Sequence, residues 1–273
     1  MFHLFGNTEH IIFIGSPCLL MARKDSLVKS LGTGFEIVAA LENLEEAGIT
    51  DISRETGIAK STVHDHLQTM VENEYIIKRG NTYELSLKFL THGGRKRDEM
   101  DLYQVARPEI RELANDTGEL VNLVTEEHGL GVYLDLKRGD SAVNLDSYLG
   151  KREYLHSTAV GKTILAHRPE EFINHVIEKY GLPAETGNTV ATREELNDRL
   201  ETIRSRGYAI DQEERLPGLC CVAAPITDES DYALGSISIS GPKSRMQEDR
   251  LNTELADRVS QVANVVEVNL AYS

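Results

Sequence analysis

The sequence has no tryptophan, only three cysteines and no long apolar run, and each absence excludes a class of protein. A membrane-spanning helix needs roughly 18–20 consecutive apolar residues, so no such helix is predicted. Cys18, Cys220 and Cys221 are too few for a disulfide framework, which indicates a reducing, cytoplasmic location. No C-x-x-C motif or Cys/His ligand spacing is present, so neither a structural metal nor a cofactor is expected.

An excess of basic charge is also missing. The net charge is −15, which argues against a uniformly basic nucleic-acid coat and against adhesion to an anionic membrane. Residues 21–97 hold 11 basic and 11 acidic side chains, whereas residues 98–273 hold 18 and 32. The N-terminal part, here called the head, is therefore neutral, and the C-terminal part, here called the body, is acidic. This distribution favours approach of the head to a polyanion. Chance and a generally acidic proteome explain the same distribution. The acidity also suits a high-salt cytoplasm, such as that of a halophilic archaeon.

Residues 1–24 are not expected to belong to a folded domain. Residues 1–20 superficially resemble a signal peptide, but they lack a basic start, and Gly15, Ser16 and Pro17 interrupt the short apolar run at 11–14. Met21 is a second possible translation start. We therefore predict a disordered extension or a mis-assigned start.

Residues 25–91 are predicted to form a winged helix-turn-helix. Apolar spacing predicts helices over 35–46, 50–56 and 60–73, with Gly57 at the turn between the second and third. The first helix is expected to bury Phe35, Val38, Ala39 and Leu41, and Thr50 is expected to cap the second. The third carries a buried stripe of Val63, Leu67, Met70 and Val71. Two short strands over 75–78 and 82–87, joined at Gly80, would form the wing.

The third helix would then read DNA, because in a helix-turn-helix the second helix of the pair enters the major groove. Its outward side chains can bond phosphates or base edges, and basic residues of the wing and of 95–97 suit phosphates. A winged helix used for protein contacts is the alternative. The predicted DNA-binding residues are Lys60, Ser61, Thr62, His64, Asp65, Gln68, Thr69, Lys78 and Arg79.

Residues 92–117 are predicted to connect the head to the body. Residues 91–97 contain Gly93 and Gly94 among polar side chains and are interpreted as a glycine-bearing joint. A helix over 98–116 follows, with Pro108 as an expected kink. Its apolar stripe, formed by Leu102, Ala106, Ile110 and Leu113, is predicted to be a dimer seam.

Residues 118–273 alternate strands and helices, which is typical of an α/β (α+β) domain. Strands are predicted over 120–125, 131–137, 208–210, 220–226 and 234–240, and helices over 158–166, 169–180 and 192–206. Ser244 and Gln247 have capping-box spacing and are expected to open a terminal helix. Its predicted stripe is Leu251, Leu255, Val259, Val262 and Val266.

Five segments in order resemble the IclR family of transcriptional regulators. They are GIAKSTVH (57–64), ARP (106–108), LHSTAVGK (155–162), RGYAID with CVAAPI (206–211 and 221–226), and LGSISISGP (234–242). The resemblance covers about residues 30–270. It implies a winged head, a linker helix, a GAF-like effector domain, operator DNA as partner, and a homodimer or dimer of dimers rather than an enzyme. Two departures stand out: Ala59 replaces a capping Ser, and Asp65 replaces a frequent Arg.

The resemblance also implies which residues bind a small-molecule effector, expected to be a carboxylate or another catabolic metabolite. Ser238 and Ser240 are two apart on a strand and so share a face, and the start of the helix near Thr158 offers N–H groups to an anion. The rival reading is a thiol hydrolase that uses Cys221, His156 and Asp211. The predicted effector-binding residues are Ala159, Val160, Gly161, Asp211, Cys221, Ser238 and Ser240, with no catalytic residue.

Overall fold

The computed structural model describes residues 28–145 and 147–272, so the prediction for residues 1–24 lies outside them. Within this range no helix is both long and apolar enough to cross a membrane.

The head is a winged helix-turn-helix, as predicted. Three helices enclose a core that includes Ile37, Leu41, Val63 and Leu67, and a small antiparallel sheet of order β1-β3-β2 closes it. Its elements are α1 (Lys29–Leu44), β1 (Ala47–Gly48), α2 (Ile49–Thr56), α3 (Lys60–Glu72), β2 (Ile76–Arg79) and β3 (Thr82–Leu85).

Two details of the head differ from the prediction. The first helix buries Ile37, Ala40 and Leu41, whereas Phe35 is 64% exposed, so the predicted apolar face was rotated. The second helix starts one residue earlier than predicted: Gly48, not Thr50, is its N-cap, and the Gly48 N–H donates to the Asp51 carboxylate at 3.3 Å. The acidic residue in the first turn thus satisfies the N–H of the N-cap residue, which is the half of a capping box that does not need a side chain at the N-cap.

The predicted glycine joint is wrong, because residues 91–97 lie inside a helix, α4 (Lys88–Asp98). Two glycines cost a helix only about 2 kcal/mol together, and Arg95, Lys96 and Arg97 in its last turn interact favourably with the helix dipole. The chain breaks instead at Glu99 and Met100, before α5 (Asp101–Thr117).

The stripe on α5 is not available as a dimer seam. Leu102, Ala106, Ile110 and Leu113 are all buried, and they pack in one core with the sheet and the terminal helix of the same chain. An apolar stripe on a helix cannot show from sequence alone whether its partner is the same chain or another. The tertiary packing here resolves that choice in favour of the same chain.

The body is a six-stranded antiparallel sheet of order β6-β5-β4-β9-β8-β7. The helix α5 and the terminal helix cover one face, and α6 to α8 cover the other. The elements are β4 (Leu120–Glu127), β5 (Leu130–Arg138), β6 (Arg152–Tyr154), α6 (Ala159–Ala166), α7 (Glu170–Tyr180), α8 (Arg193–Arg206), β7 (Ala209–Gln212), β8 (Leu219–Thr227), β9 (Ala233–Pro242), α9 (Glu248–Arg250) and α10 (Ala256–Ala271).

The terminal helix begins differently from the prediction. Ser244 lies in a turn, and Gln247 is the N-cap of α9 and makes no side-chain cap bond. A π-helical segment, Leu251–Leu255, joins α9 to α10. The predicted stripe is otherwise right: Leu251, Leu255, Val259 and Val266 are buried in the core, and Val262 packs against it.

Candidate functional site

The helix α3 presents a polar face to solvent. Val63 and Leu67 are fully buried and anchor it to the head. The outward residues predicted to meet DNA are therefore held on a rigid element. Thr62 is half-buried, and the remaining six are exposed: Lys60, Ser61, His64, Asp65, Gln68 and Thr69.

Asp65 is engaged with its neighbour. Its carboxylate lies 3.1 Å from Nδ1 of His64, and both side chains are largely exposed. The Thr69 hydroxyl donates to the Asp65 carbonyl at 3.0 Å, which turns that hydroxyl back toward its own helix. The helix begins at Ala59 with no side-chain cap bond, as the loss of the capping Ser predicts.

The wing exposes Lys78 and Arg79. The Arg79 Nε donates to Glu84 at 2.8 Å, and the Lys78 ammonium lies 5.6 Å from the centre of the Tyr83 ring. Glu84 offsets part of the Arg79 charge, so Lys78 is the stronger of the two for phosphate. In α4, Arg95 and Arg97 pair with Glu99 and Asp98 in the same way.

In the body, strand register brings the predicted effector residues together. Asp211 on β7 is opposite Cys221 on β8, and Cys221 is opposite Ser240 on β9. Ser238 is opposite Asn122 on β4. Because side chains alternate along a strand, these five all face α6 rather than α5.

These residues line one pocket against the start of α6, together with Ala159 and Val160. The space open to the centres of water-sized molecules is about 20 Å³, enough for about one water. The pocket is therefore closed, and a metabolite must displace side chains to enter. Sequence reasoning missed seven lining residues: Asn122, Tyr133, Leu145, Ser147, Thr158, Arg215 and Leu219.

Gly161, also predicted to bind the effector, is not among the residues that line this closed pocket. Its N–H donates to the Thr158 hydroxyl at 3.1 Å, so it is not offered to a ligand. A Cβ built at this position would lie 2.2 Å from the Leu155 carbonyl oxygen. Gly161 therefore allows close packing of the loop, and its contact with an effector stays a prediction.

Asn122 organises the polar end of the pocket. Its Nδ2 donates to Ser238 Oγ at 3.1 Å and to Ser240 Oγ at 3.2 Å. Its Oδ1 is buried and accepts no hydrogen bond from any residue that the structure describes. A buried unsatisfied acceptor costs about 1–3 kcal/mol, so this oxygen is a place for a ligand donor. The signal in the sequence was a lone polar residue within Leu120–Val124.

Asp211 contributes a buried carboxylate to the pocket wall. It is 1% exposed, and burial raises its pKa to about 7 against the opposing effect of Lys162. Its Oδ1 accepts the backbone N–H of Glu214 at 2.7 Å. Near neutral pH this side chain is therefore poised between a hydrogen-bond donor and an anion.

Arg215 places a guanidinium group on the pocket wall. Its Nη2 lies 2.7 Å from Glu153, which also pairs with Lys151 at 3.1 Å. A buried guanidinium on the pocket wall can bond the oxygens of an anionic ligand through charge-assisted hydrogen bonds.

The arrangement does not support the thiol hydrolase. Burial raises the pKa of the Cys221 thiol, so the nucleophilic thiolate is disfavoured. His156 does not line the pocket, and its Nε2 lies 3.0 Å from the Pro183 carbonyl oxygen. Burial also lowers the pKa of His156. In the part of the chain that the structure describes, no cluster of His, Cys, Asp or Glu could hold a metal ion.

Two family models match the chain. The IclR helix-turn-helix domain matches residues 30–80, and the bacterial transcriptional regulator IclR C-terminal domain matches residues 95–268. Among individual proteins, the probable HTH-type transcriptional regulator ArcR of Halobacterium salinarum is 31% identical over 249 residues, which cover 89% of this chain and 94% of that protein.

Solved structures agree with the fold. The Thermotoga maritima IclR structure superposes with a TM-score of 0.73 at 28% identity and covers 89% of this chain and 99% of that one. An IclR homologue from Microbacterium hydrocarbonoxydans, crystallised with 4-hydroxybenzoate, gives a TM-score of 0.77 at 21% identity over 89% and 100% of the two chains.

Proposed function

Because the chain belongs to the IclR family of transcriptional regulators, we propose that its head binds operator DNA and that its body changes this affinity on binding a small organic acid. The observation that carries the proposal is that six residues from four separate elements line one closed pocket beside a buried arginine. A closed pocket requires movement when ligand enters, and movement is what couples two sites.

The proposed DNA contacts are made by α3 and the wing. Gln68 can pair with an adenine, and Asp65 can accept from the N4 amine of a cytosine. Lys78 and Arg79 would bind phosphates, with Glu84 weakening the contribution of Arg79. The remaining contacts are assigned to Lys60, Ser61, Thr62, His64 and Thr69.

The proposed effector site consists of the pocket residues Ala159, Val160, Asp211, Cys221, Ser238 and Ser240, extended by Asn122 and Arg215. Arg215 and the backbone N–H groups in the first turn of α6 suit a carboxylate. Asn122 Oδ1 suits a hydroxyl donor on the same ligand. The Microbacterium neighbour was crystallised with an acid that carries both groups, which makes hydroxy acids the first class to test.

We infer a symmetric dimer that pairs through the head. Leu31 and Phe35 lie one turn apart on α1 and are 58% and 64% exposed, and Leu90 on α4 is 63% exposed. Exposed apolar patches of this kind mark interaction surfaces, and a two-fold operator requires a two-fold protein. Assembly into a dimer of dimers would then use a separate surface.

We propose domain limits of 25–91 for the winged head, 92–117 for the connection and 118–273 for the effector domain. The proposed location is the cytoplasm, where the promoter DNA and the catabolic acids are. The net charge of −15, together with similarity to a Halobacterium regulator, favours a halophilic archaeal source.

The test combines selection of DNA sites with effector titration. The full chain is used to select sites from a random duplex library, and fluorescence anisotropy then measures affinity for the selected site with and without 4-hydroxybenzoate, pyruvate and acetate, at high and moderate KCl. Cys221→Ala should keep DNA affinity and change only the effector response. Lys78→Ala should lower affinity for all sequences and reduce the salt slope by about 1.

Two results would contradict the proposal at different points. No enrichment of any sequence would remove the DNA-binding role. Selective DNA binding that no acid changes at either salt concentration would leave the head intact and remove the effector role for these acids.

A further inference from the structure

A second and larger cavity lies outside the effector pocket. Residues of α8, of the segment 210–214 and of the segment 243–252 line it. Its volume is about 770 Å³, within the range of small-molecule sites. It lies between α8 and the start of α9, and Lys162 and Glu214 form its floor. We call it the α8 cleft. Both basic and acidic side chains line the cleft. The charge of a ligand that it can bind therefore depends on which of these side chains already form ion pairs.

Two of the four cations in the α8 cleft are already neutralised by ion pairs. Lys162 pairs with Glu214, and Lys243 pairs with Glu213. The remaining charged lining residues are Arg199, Arg206 and, on the opposite wall, Glu248. The cleft therefore carries a net positive charge on its α8 wall.

Arg199 and Arg206 are neighbours without an acidic partner. They lie seven residues apart on α8, which is two turns and about 10 Å along one face. Arg199 makes no hydrogen bond or ion pair with any residue that the structure describes, and Arg206 donates its Nε to the Tyr208 carbonyl at 2.7 Å. Burial, together with the charge of Arg199, lowers the pKa of Arg206. The two guanidinium groups thus repel each other.

The lack of a carboxylate partner sets these two arginines apart from most basic residues of the domain. Residues 98–273 hold 32 acids and 18 bases, and most basic side chains there contact a carboxylate, as Arg245 does with Glu119 at 2.7 Å. Arg199 and Arg206 have no carboxylate partner among the described residues, and the contacts of Arg206 with Tyr208 supply no negative charge that would cancel their repulsion. An anion bound between them would remove the repulsion.

The floor of the cleft adds a second, independent observation. Lys162 is 1% exposed, and Glu214 is also buried. Apart from their ion pair, the Lys162 ammonium and the Glu214 Oε2 have no hydrogen-bond partner among the described residues. Buried polar groups are normally satisfied, so groups left unsatisfied beneath a polar cleft indicate a site for polar atoms of a ligand or its water.

We propose that the α8 cleft binds a small phosphate-bearing metabolite with at least two negative charges, held by Arg199 and Arg206. Guanidinium groups bind phosphate oxygens through paired, charge-assisted hydrogen bonds, and two of them on residues two helical turns apart suit a ligand larger than a single phosphate. The site is separate from the proposed effector pocket, from which Asp211 and the Lys162–Glu214 pair divide it. The proposal does not depend on the function of that pocket.

The test is isothermal titration of the full chain with inorganic pyrophosphate at constant KCl, with inorganic phosphate and citrate as separate titrants. We expect saturable binding of one pyrophosphate per chain, with phosphate and citrate at least tenfold weaker. Arg199→Ala and Arg206→Ala are exposed changes and should each weaken pyrophosphate binding at least fivefold. Arg193→Ala, on the same helix but outside the cleft, and Cys221→Ala in the effector pocket should change it less than twofold.

Four results would overturn the proposal. Absence of saturable binding would exclude the site, and equal losses in Arg199→Ala and Arg193→Ala would show attraction by overall charge alone. Citrate as tight as pyrophosphate would exclude a preference for phosphate. A loss in Cys221→Ala equal to that in Arg206→Ala would place the anion in the effector pocket.

Discussion

At the scale of single residues, two buried polar side chains, Asn122 and Asp211, determine which ligand groups the pocket can bind. Asn122 holds both serines through its amide N–H groups and keeps its carbonyl oxygen free of donors within the described chain. Asp211 is buried, and the lack of solvent around its carboxylate favours the protonated, neutral form. An anionic effector near Asp211 is favoured while Asp211 is protonated, because two close carboxylates cannot both ionise cheaply.

Asp211 also predicts a pH dependence of stability. Its pKa rises from 3.8 to about 7 on folding, so the folded protein keeps a proton that the unfolded chain releases in this window. Its stabilising contribution is therefore present below the unfolded pKa and is lost as pH rises towards 7. Asp211→Asn stays neutral and keeps the acceptor for the Glu214 N–H.

We expect Asp211→Asn to gain about 1–3 kcal/mol of unfolding free energy relative to wild type between pH 5 and pH 8, measured by urea denaturation. Asp140→Asn, at an exposed position, is the control and should show no such trend. A difference that stays constant with pH would show that Asp211 is ionised throughout.

At the scale of elements, the connection between head and body consists of two helices with a break at Glu99 and Met100. Because α4 is a continuous helix, a change in its direction changes the orientation of the head, whereas a flexible glycine joint would not pass on such a change. Any effector-driven shift of the head must therefore act at the break or through α5, which is packed on the sheet.

Gly93 provides a direct test of helicity in α4. A Cβ at this position meets nothing within 4 Å, and Ala is favoured over Gly inside a helix by about 1 kcal/mol. Gly93→Ala should therefore slow amide hydrogen exchange in residues 88–98 about fivefold by mass spectrometry. Gly187→Ala, which is equally open but distant, should leave these amides unchanged. Unchanged or faster exchange in Gly93→Ala would favour a turn.

At the scale of the whole molecule, the acidic body and the neutral head separate two tasks. Acidic charge keeps the body away from DNA, while the head, with balanced charge, can approach it. Because the stripe on α5 is used inside the chain, self-association needs another surface, and the exposed apolar residues of α1 and α4 provide one.

Phe35→Glu should therefore weaken the dimer at least tenfold, as measured by sedimentation equilibrium, because a charge would be buried at the interface. Asn43→Glu adds the same charge at an exposed position of the same helix and serves as the control. A dimer that Phe35→Glu does not affect would place the interface elsewhere on the molecule.

The sequence by itself determined the winged head and the strands and helices of the body except β6, because apolar periodicity and local turn chemistry act over short distances. The family resemblance supplied six of the thirteen described residues that line the pocket. Tertiary structure decided the rest. The helix through Gly93, the exposure of Phe35 and the burial of Leu102 depend on which surface each residue meets. Asn122 comes from a distant segment, and only strand register brings its side chain into the pocket of Asp211, whereas Arg215 reaches the pocket from the loop after β7.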